Sequence, residues 1–130
     1  MTGPQNPDAP WLEPEDDPVG SFRYAEALLE ARDPLGALRA LGPVLAAYGD
    51  KPSVLLLQAR AHFHSAQLRQ AEDVLRRLIE IAPDDDYAHL LLGKTLQRQN
   101  RPAEARGHYR IAWAMRPDTY RLEALASVGG

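Results

Sequence analysis

The amino-acid sequence predicts an all-α fold, an array of three helix-turn-helix units closed by a short capping helix. Three observations carry this expectation. Apolar residues recur at helical intervals and never alternate as in a strand. Prolines and small polar residues break the helical pattern at regular distances. The pattern also repeats along the chain, with Pro83 and Pro117 standing 34 residues apart.

Composition narrows the class. A chain of 130 residues is about one domain long. Its 45% hydrophobic and 25% charged content is that of an ordinary globular protein. With 15 basic against 18 acidic residues, the net charge of -3 gives no general attraction to phosphate backbones or anionic lipid, so neither nucleic acid nor membrane is expected as a partner. The absence of cysteine excludes a disulfide framework, a thiolate metal site and a cysteine nucleophile. The opening stretch MTGPQNPDAPWLEPEDDP has neither the basic nor the apolar region of a secretory signal, and a cytoplasmic location is the expectation. Arginine far outnumbers the two lysines, Lys51 and Lys94, and a GC-rich bacterial source is the expectation.

Taken in order, residues 1–17 combine four prolines with Asp8, Glu13, Glu15, Asp16 and Asp17, a composition that cannot build a core and predicts a flexible tail. Helical spacing starts near Ser21 with Tyr24, Ala25, Leu28 and Leu29. Asp33-Pro34 reads as an N-cap followed by proline at the first helical position, where its missing N–H costs nothing. Leu38, Leu41, Val44 and Leu45 continue that second helix, with a kink expected at Gly42-Pro43. Breaks at Gly49-Asp50-Lys51-Pro52, at Ala82-Pro83-Asp84 and around Asn100, Arg101 and Pro102 divide the chain into units of about 18–51, 52–85 and 86–119. Leu122, Leu125 and Val128 then share one face of a capping helix over about 118–128, which covers the open end of the array.

A shift of 34 residues aligns Ala25, Ala59 and Gly93; Leu28, His62 and Leu96; Ala37, Ala71 and Ala105; Leu41, Leu75 and Tyr109; and Val44, Leu78 and Ala112, without a gap. In the third unit His89, Leu92-Gly93, Leu96, Ala105, Tyr109, Ala112 and Pro117 follow one another as in the tetratricopeptide repeat, where a bulky residue, Leu-Gly, an aromatic, Ala, an aromatic and a closing Pro recur. From about residue 18 to 119 the chain resembles that family. Leu96 replaces an aromatic, Gln58 fills a leucine slot and Gly49 fills the first proline slot.

The resemblance implies a right-handed superhelix whose concave face, lined by the first helix of each unit, binds peptides. The family's groove slots map onto Phe22, Glu26, Leu29 and Glu30 in the first unit. They map onto Leu56, Arg60, Phe63 and His64 in the second, and onto Leu90, Lys94, Gln97 and Arg98 in the third. Phe22, Leu56 and Leu90 then form an apolar stripe, read either as anchors for a ligand or as side chains packed under neighbouring helices. Arg60, Lys94 and Arg98 suit an acidic segment or a terminal carboxylate. Chaperone-binding members of the family hold that carboxylate with asparagines, but Glu26 and Arg60 stand in those slots here, so that activity is not carried over.

No phosphate loop, nucleophile elbow or paired catalytic set is visible, and neither an enzyme activity nor a cofactor is expected. His62, His64, His89 and His108 lack metal-ligand spacing, so no metal is expected either, and Asp84, Asp85 and Asp86 read as helix-capping carboxylates. Arg69, Arg76, Arg77, Arg106 and Arg110, interleaved with Glu72, Asp73, Glu80 and Glu104, read as a solvated outer face. The expected function is that of an adaptor binding a protein or peptide ligand with acidic and apolar residues. Two alternatives stay open: self-assembly, including a homodimer, through the terminal helix with Tyr120, Leu122 and Leu125, and RNA binding, which the mixed charges disfavour. Trp11-Leu12 and the acidic residues after it also complement the groove, so the tail is a candidate lid in cis.

Overall fold

The computed structural model describes residues 17–129. Seven helices and no strand make up this stretch: α1 (Pro18–Glu30), α2 (Pro34–Tyr48), α3 (Pro52–His64), α4 (Leu68–Ile81), α5 (Asp86–Arg98), α6 (Pro102–Met115) and α7 (Thr119–Val128). The candidate lid at Trp11-Leu12 lies outside the described residues.

Helix starts follow from a short local code. Asp17 accepts the N–H of Gly20 at 3.0 Å, and Asp33 accepts that of Gly36 at 2.9 Å. Both helices open with Asp-Pro-x-Gly. The carboxylate takes an N–H that has no partner inside the helix, and the proline supplies a helical φ. Glycine at this position lets the carboxylate lie close over the helix end: a Cβ at Gly20 or Gly36 would stand 2.2 Å from it, so the carboxylate would have to shift, as it does over Ala88 and Arg121 in the caps below. The cap also explains why α1 begins before Ser21, where apolar spacing alone placed it. Asp85 and Asp118 cap α5 and α7 through the N–H groups of Ala88 and Arg121, at 3.0 and 2.8 Å. The cap position of α6 is Arg101, without a side-chain bond. Pro43 lies inside α2, which continues to Tyr48.

Helix ends inside the units share one turn. Arg32, Ala66 and Asn100, one per unit and 34 residues apart, have φ of 65°, 61° and 64°. The following N–H groups, of Asp33, Gln67 and Arg101, reach back to the carbonyls of Leu28, His62 and Leu96 at 2.8, 2.8 and 2.9 Å. This is the Schellman closure, here made without glycine, so each turn holds an L-residue in a conformation that usually costs about 1 kcal/mol.

Packing follows the period. Ala25, Leu29, Ala37, Leu41 and Val44 form one cluster with Val54, Leu57 and Ala61 of α3. Leu55 and Ala59 of α3 enter a second, larger cluster with Leu75, Leu78, Leu92, Leu96, Tyr109 and Val128. Helix α3 is therefore the wall shared by both clusters. In the third unit Gly93 lets α5 approach α6, because a Cβ there would sit 2.4 Å from Tyr109 Cε1. The first helices touch in series, α1 on α3, α3 on α5 and α5 on α7, which places them on the inner side of the bend.

Candidate peptide-binding groove

The helical period puts Glu26 and Glu30 one turn apart on α1, Arg60 and His64 at the matching positions of α3, and Lys94 and Arg98 at those of α5. Glu26, Glu30, His64 and Arg98 are exposed, while Arg60 and Lys94 are half-buried. The inner face thus carries acid at its first unit and base at the next two.

Its apolar members are less available than the sequence implied. Leu90 is fully buried, and Leu29 is nearly so. Phe22 and Leu56 are half-buried and packed on the two clusters. The stripe of Phe22, Leu56 and Leu90 is therefore largely core, and Leu90 is corrected from groove anchor to core residue. Leu90 belongs to the second cluster, which Val128 of α7 also joins and against which Ala124 and Leu125 pack.

The same helix occupies the third unit's polar slots. The Lys94 ammonium lies 4.3 Å from the centre of the Tyr120 ring and donates to its hydroxyl. Gln97 donates to Ser127 Oγ at 3.3 Å and accepts the Tyr109 hydroxyl at 2.7 Å. Helix α7 is itself fixed by Arg121, whose guanidinium meets Asp86 at 2.6 Å and Asp118 at 2.7 Å, and by Arg106, which donates to the Val128 carbonyl at 2.6 Å. Asp86 is thus a tie between helices, whereas Asp85 is the cap expected of that acidic run.

Phe63, like Leu56, is half-buried and packs against the second cluster, and its ring gathers two polar neighbours. The Arg98 guanidinium lies 4.9 Å from the Phe63 ring centre and donates to the Phe63 carbonyl at 3.3 Å. His64 meets the same ring edge-on, with centroids 5.4 Å apart. Burial, then the charges of Arg60, Arg98 and Lys94, hold the His64 pKa below its ordinary value. Beside this notch, Leu29, Glu30, Arg32, Pro34, Arg60 and His64 line a cavity of about 460 Å³. An apolar ring flanked by cations can bury an apolar side chain and hold an anionic group next to it.

Contacts away from the groove had no sequence signal. His89 and His108 stand 19 residues apart, yet their Nδ1 atoms meet at 3.2 Å. His89 Nε2 faces the Pro83 carbonyl at 3.1 Å and donates to it, so His89 Nδ1 accepts and His108 Nδ1 carries the hydrogen. Burial, then His89 and Arg76, hold the His108 pKa down against the opposing charge of Glu104. Among the described residues no group of three His, Cys, Asp or Glu converges as a metal site. The outer charges are also not all solvated. Glu72 is buried and takes Arg76 and Arg101 at 2.8 Å each, and Arg101 also meets Glu104 at 2.8 Å.

A model of the tetratricopeptide repeat family matches residues 28–95, just over half of the 130 residues. The chain belongs to the tetratricopeptide repeat family. No curated protein matches it by sequence. Solved tetratricopeptide repeat structures superpose on it closely. MamA is 14% identical with a TM-score of 0.80, the match covering 86% of this chain and 66% of MamA. The first repeat domain of Spaghetti (RPAP3), bound to an HSP90 peptide, is 13% identical with a TM-score of 0.81, over 88% of this chain and 92% of that one. An O-GlcNAc transferase from Thermobaculum terrenum is 21% identical with a TM-score of 0.79, over 90% of this chain but 23% of that one. At these identities the likeness is one of fold. The tetratricopeptide repeat fold makes this chain a protein-interaction module in the general sense. No helix among its described residues is long and apolar enough to cross a membrane.

Proposed function

We propose that this tetratricopeptide repeat chain is a non-catalytic cytoplasmic adaptor that holds a short segment of a partner protein on its concave face. The observation that carries the reading is the notch at Phe63, where Arg98 covers the ring beside Arg60, His64 and an open cavity of about 460 Å³. A segment offering one apolar side chain next to an acidic one satisfies both parts. Phe63, Arg60, His64 and Arg98 do most of the holding, with Glu26 and Glu30 facing the same ligand from α1. Lys94 and Gln97 are engaged by α7, and Phe22, Leu29 and Leu56 shape the floor. The Spaghetti domain, similar in fold, is bound to a peptide, which lends support. Micromolar affinity, about -8 kcal/mol, is the scale expected for such a contact.

The test is affinity capture with mass spectrometry, comparing wild type with Arg60→Glu/Arg98→Glu and with the outer-face variant Arg69→Glu/Arg110→Glu. A partner kept by wild type and the outer-face variant but lost by the groove variant supports the reading. Retention by both variants moves the surface elsewhere.

Self-assembly is the second reading. It is favoured by the exposed Ile111, Trp113, Met115, Tyr120 and Leu122 of α6 and α7. A sedimentation mass that rises with concentration and is abolished by Leu122→Glu would select it.

A further inference from the structure

Charges on the two sides of the molecule are managed differently. On the outer side Glu72, Arg76, Arg101 and Glu104 are joined in one network of ion pairs. On the inner side acid and base are kept apart. Glu26 and Glu30 sit on α1, Arg60 and His64 on α3, and Lys94 and Arg98 on α5, each pair one helical turn apart and in register at the 34-residue period. Among the described residues neither glutamate has an ion-pair partner, and Arg60 has none either. The cavity of about 460 Å³ has Glu30 of α1 and Arg60 and His64 of α3 in its lining, and Glu26 stands one turn before Glu30 on α1. Arg32, at the turn after α1, also lines the cavity.

Opposite charges held apart across an open cavity contribute nothing to each other through contact, but they set up a field directed along the groove. A uniformly acidic segment would meet Glu26 and Glu30 at one end, and a uniformly basic one would meet Arg60 and Arg98 at the other. The ligand that satisfies both ends carries its own separation of charge.

We infer that the groove selects a dipolar segment, with a cationic residue against Glu26 and Glu30 of α1 and an anionic group in the notch formed by Arg60, His64 and Arg98. Touching helices lie about 10 Å apart. An extended chain advances about 3.3 Å per residue. The two charges of the ligand therefore stand about three to six residues apart, with an apolar side chain between them for Phe63. This rests on the groove reading above, and it adds the charge order of the partner segment.

The probes are two heptapeptides blocked at both ends. The dipolar one has two lysines, an Ala-Leu-Ala spacer and two glutamates; the acidic one has glutamates at all four charged positions. Each is titrated into full-length ¹⁵N-labelled protein, wild type and Glu26→Lys/Glu30→Lys, while amide shifts on α1, α3 and α5 are followed. Both substituted positions are exposed, and an unchanged melting temperature serves as the folding control. Wild type should bind the dipolar probe roughly tenfold more tightly than the acidic one, and the variant should reverse that order. Equal affinity of wild type for both probes, or an order unchanged in the variant, overturns the dipolar inference and leaves the groove reading standing. No shift on α3 or α5 with either probe overturns both.

Discussion

A methyl group at Gly93 would lie 2.4 Å from Tyr109 Cε1 and 2.5 Å from Cδ1, closer than real carbon atoms approach. The Tyr109 ring cannot retreat easily, because it is buried and its hydroxyl donates to Gln97 Oε1 at 2.7 Å. Burial, then Tyr120, pushes the Tyr109 pKa up to about 12, so the hydroxyl stays a donor throughout the neutral range. Gly93→Ala should therefore cost about 1–3 kcal/mol of overpacking, against a helix-propensity gain of less than about 1 kcal/mol. Gly107, in the exposed middle of α6, has nothing within 4 Å of its missing Cβ. Gly107→Ala should stabilise by about 0.5–1 kcal/mol, and opposite signs in paired urea titrations are the result to look for. His64 gives a second prediction, on binding. Its pKa is lowered by burial and then by Arg60, Arg98 and Lys94, and Glu30 and Arg32 line the same cavity. An anionic group in the notch offsets those cations and raises the His64 pKa, so binding takes up a proton. Affinity for the dipolar peptide should rise as pH falls from about 7.5 to 5.5, up to about tenfold per unit of pKa recovered. His64→Gln should remove that rise, and a flat profile in wild type would show that the anion does not reach His64.

Helix pairing depends on contacts of two kinds, and only one of them is legible in the sequence. The 34-residue spacing of Ala25 and Ala59, and of Ala37, Ala71 and Ala105, marks where helices approach, and all five are fully buried. Repetition makes such positions visible because the same steric demand recurs in each unit. The site is less legible because its contacts join unlike residues across different helices. Nothing in the spacing of Arg98 and Phe63, or of His89 and His108, announces that they meet. Leu90 occupies a groove slot by period, but it is buried in a cluster drawn from α3 to α7, and the seating of α7 in it rests on Arg121, Asp86 and Arg106. The ties between α4 and the start of α6 carry a prediction of their own. Burial pushes the Glu72 pKa up, but hydrogen bonds from Gln99, Arg101 and Arg76 outweigh it and hold the carboxyl at about 2. A depressed carboxylate pKa stabilises the fold above the unfolded value of 4.5, and that contribution fades as pH falls from there toward 2. Solvent reaches both arginines, so the screened contribution is roughly 1–2 kcal/mol. Glu72→Gln should flatten the fall in stability between about pH 5 and pH 3, measured by urea titration at each pH. An unchanged slope would assign the acid sensitivity to other carboxylates.

The whole molecule is an array whose ends differ from its middle. Leu57 and Leu91, the matching residues of α3 and α5, are buried, but the residue at that slot in α1 is the exposed Arg23. The first unit thus carries an exposed charge at a slot that is buried in the later units. At the other end, α7 covers the second cluster with Ala124, Leu125 and Val128. Stability in such an array is a sum of units and interfaces, so it should be graded along the chain. Helix α5 buries eight of its thirteen residues, whereas α1 buries Ala25 and Leu29 alone. The first cluster is also the smaller one. Native-state hydrogen exchange should therefore rank α5 and α6 as most protected, α3 and α4 next, and α1 and α2 as the first to open. A dipolar peptide bridging Glu26 and Glu30 to Arg60 and Arg98 would slow exchange most in α1, the helix with least intrinsic protection, because binding stabilises what it must hold ordered. Uniform exchange across α1 to α6 would mean that α3 couples the two clusters so strongly that they open as one body. Ligand-induced protection would then spread evenly along the array.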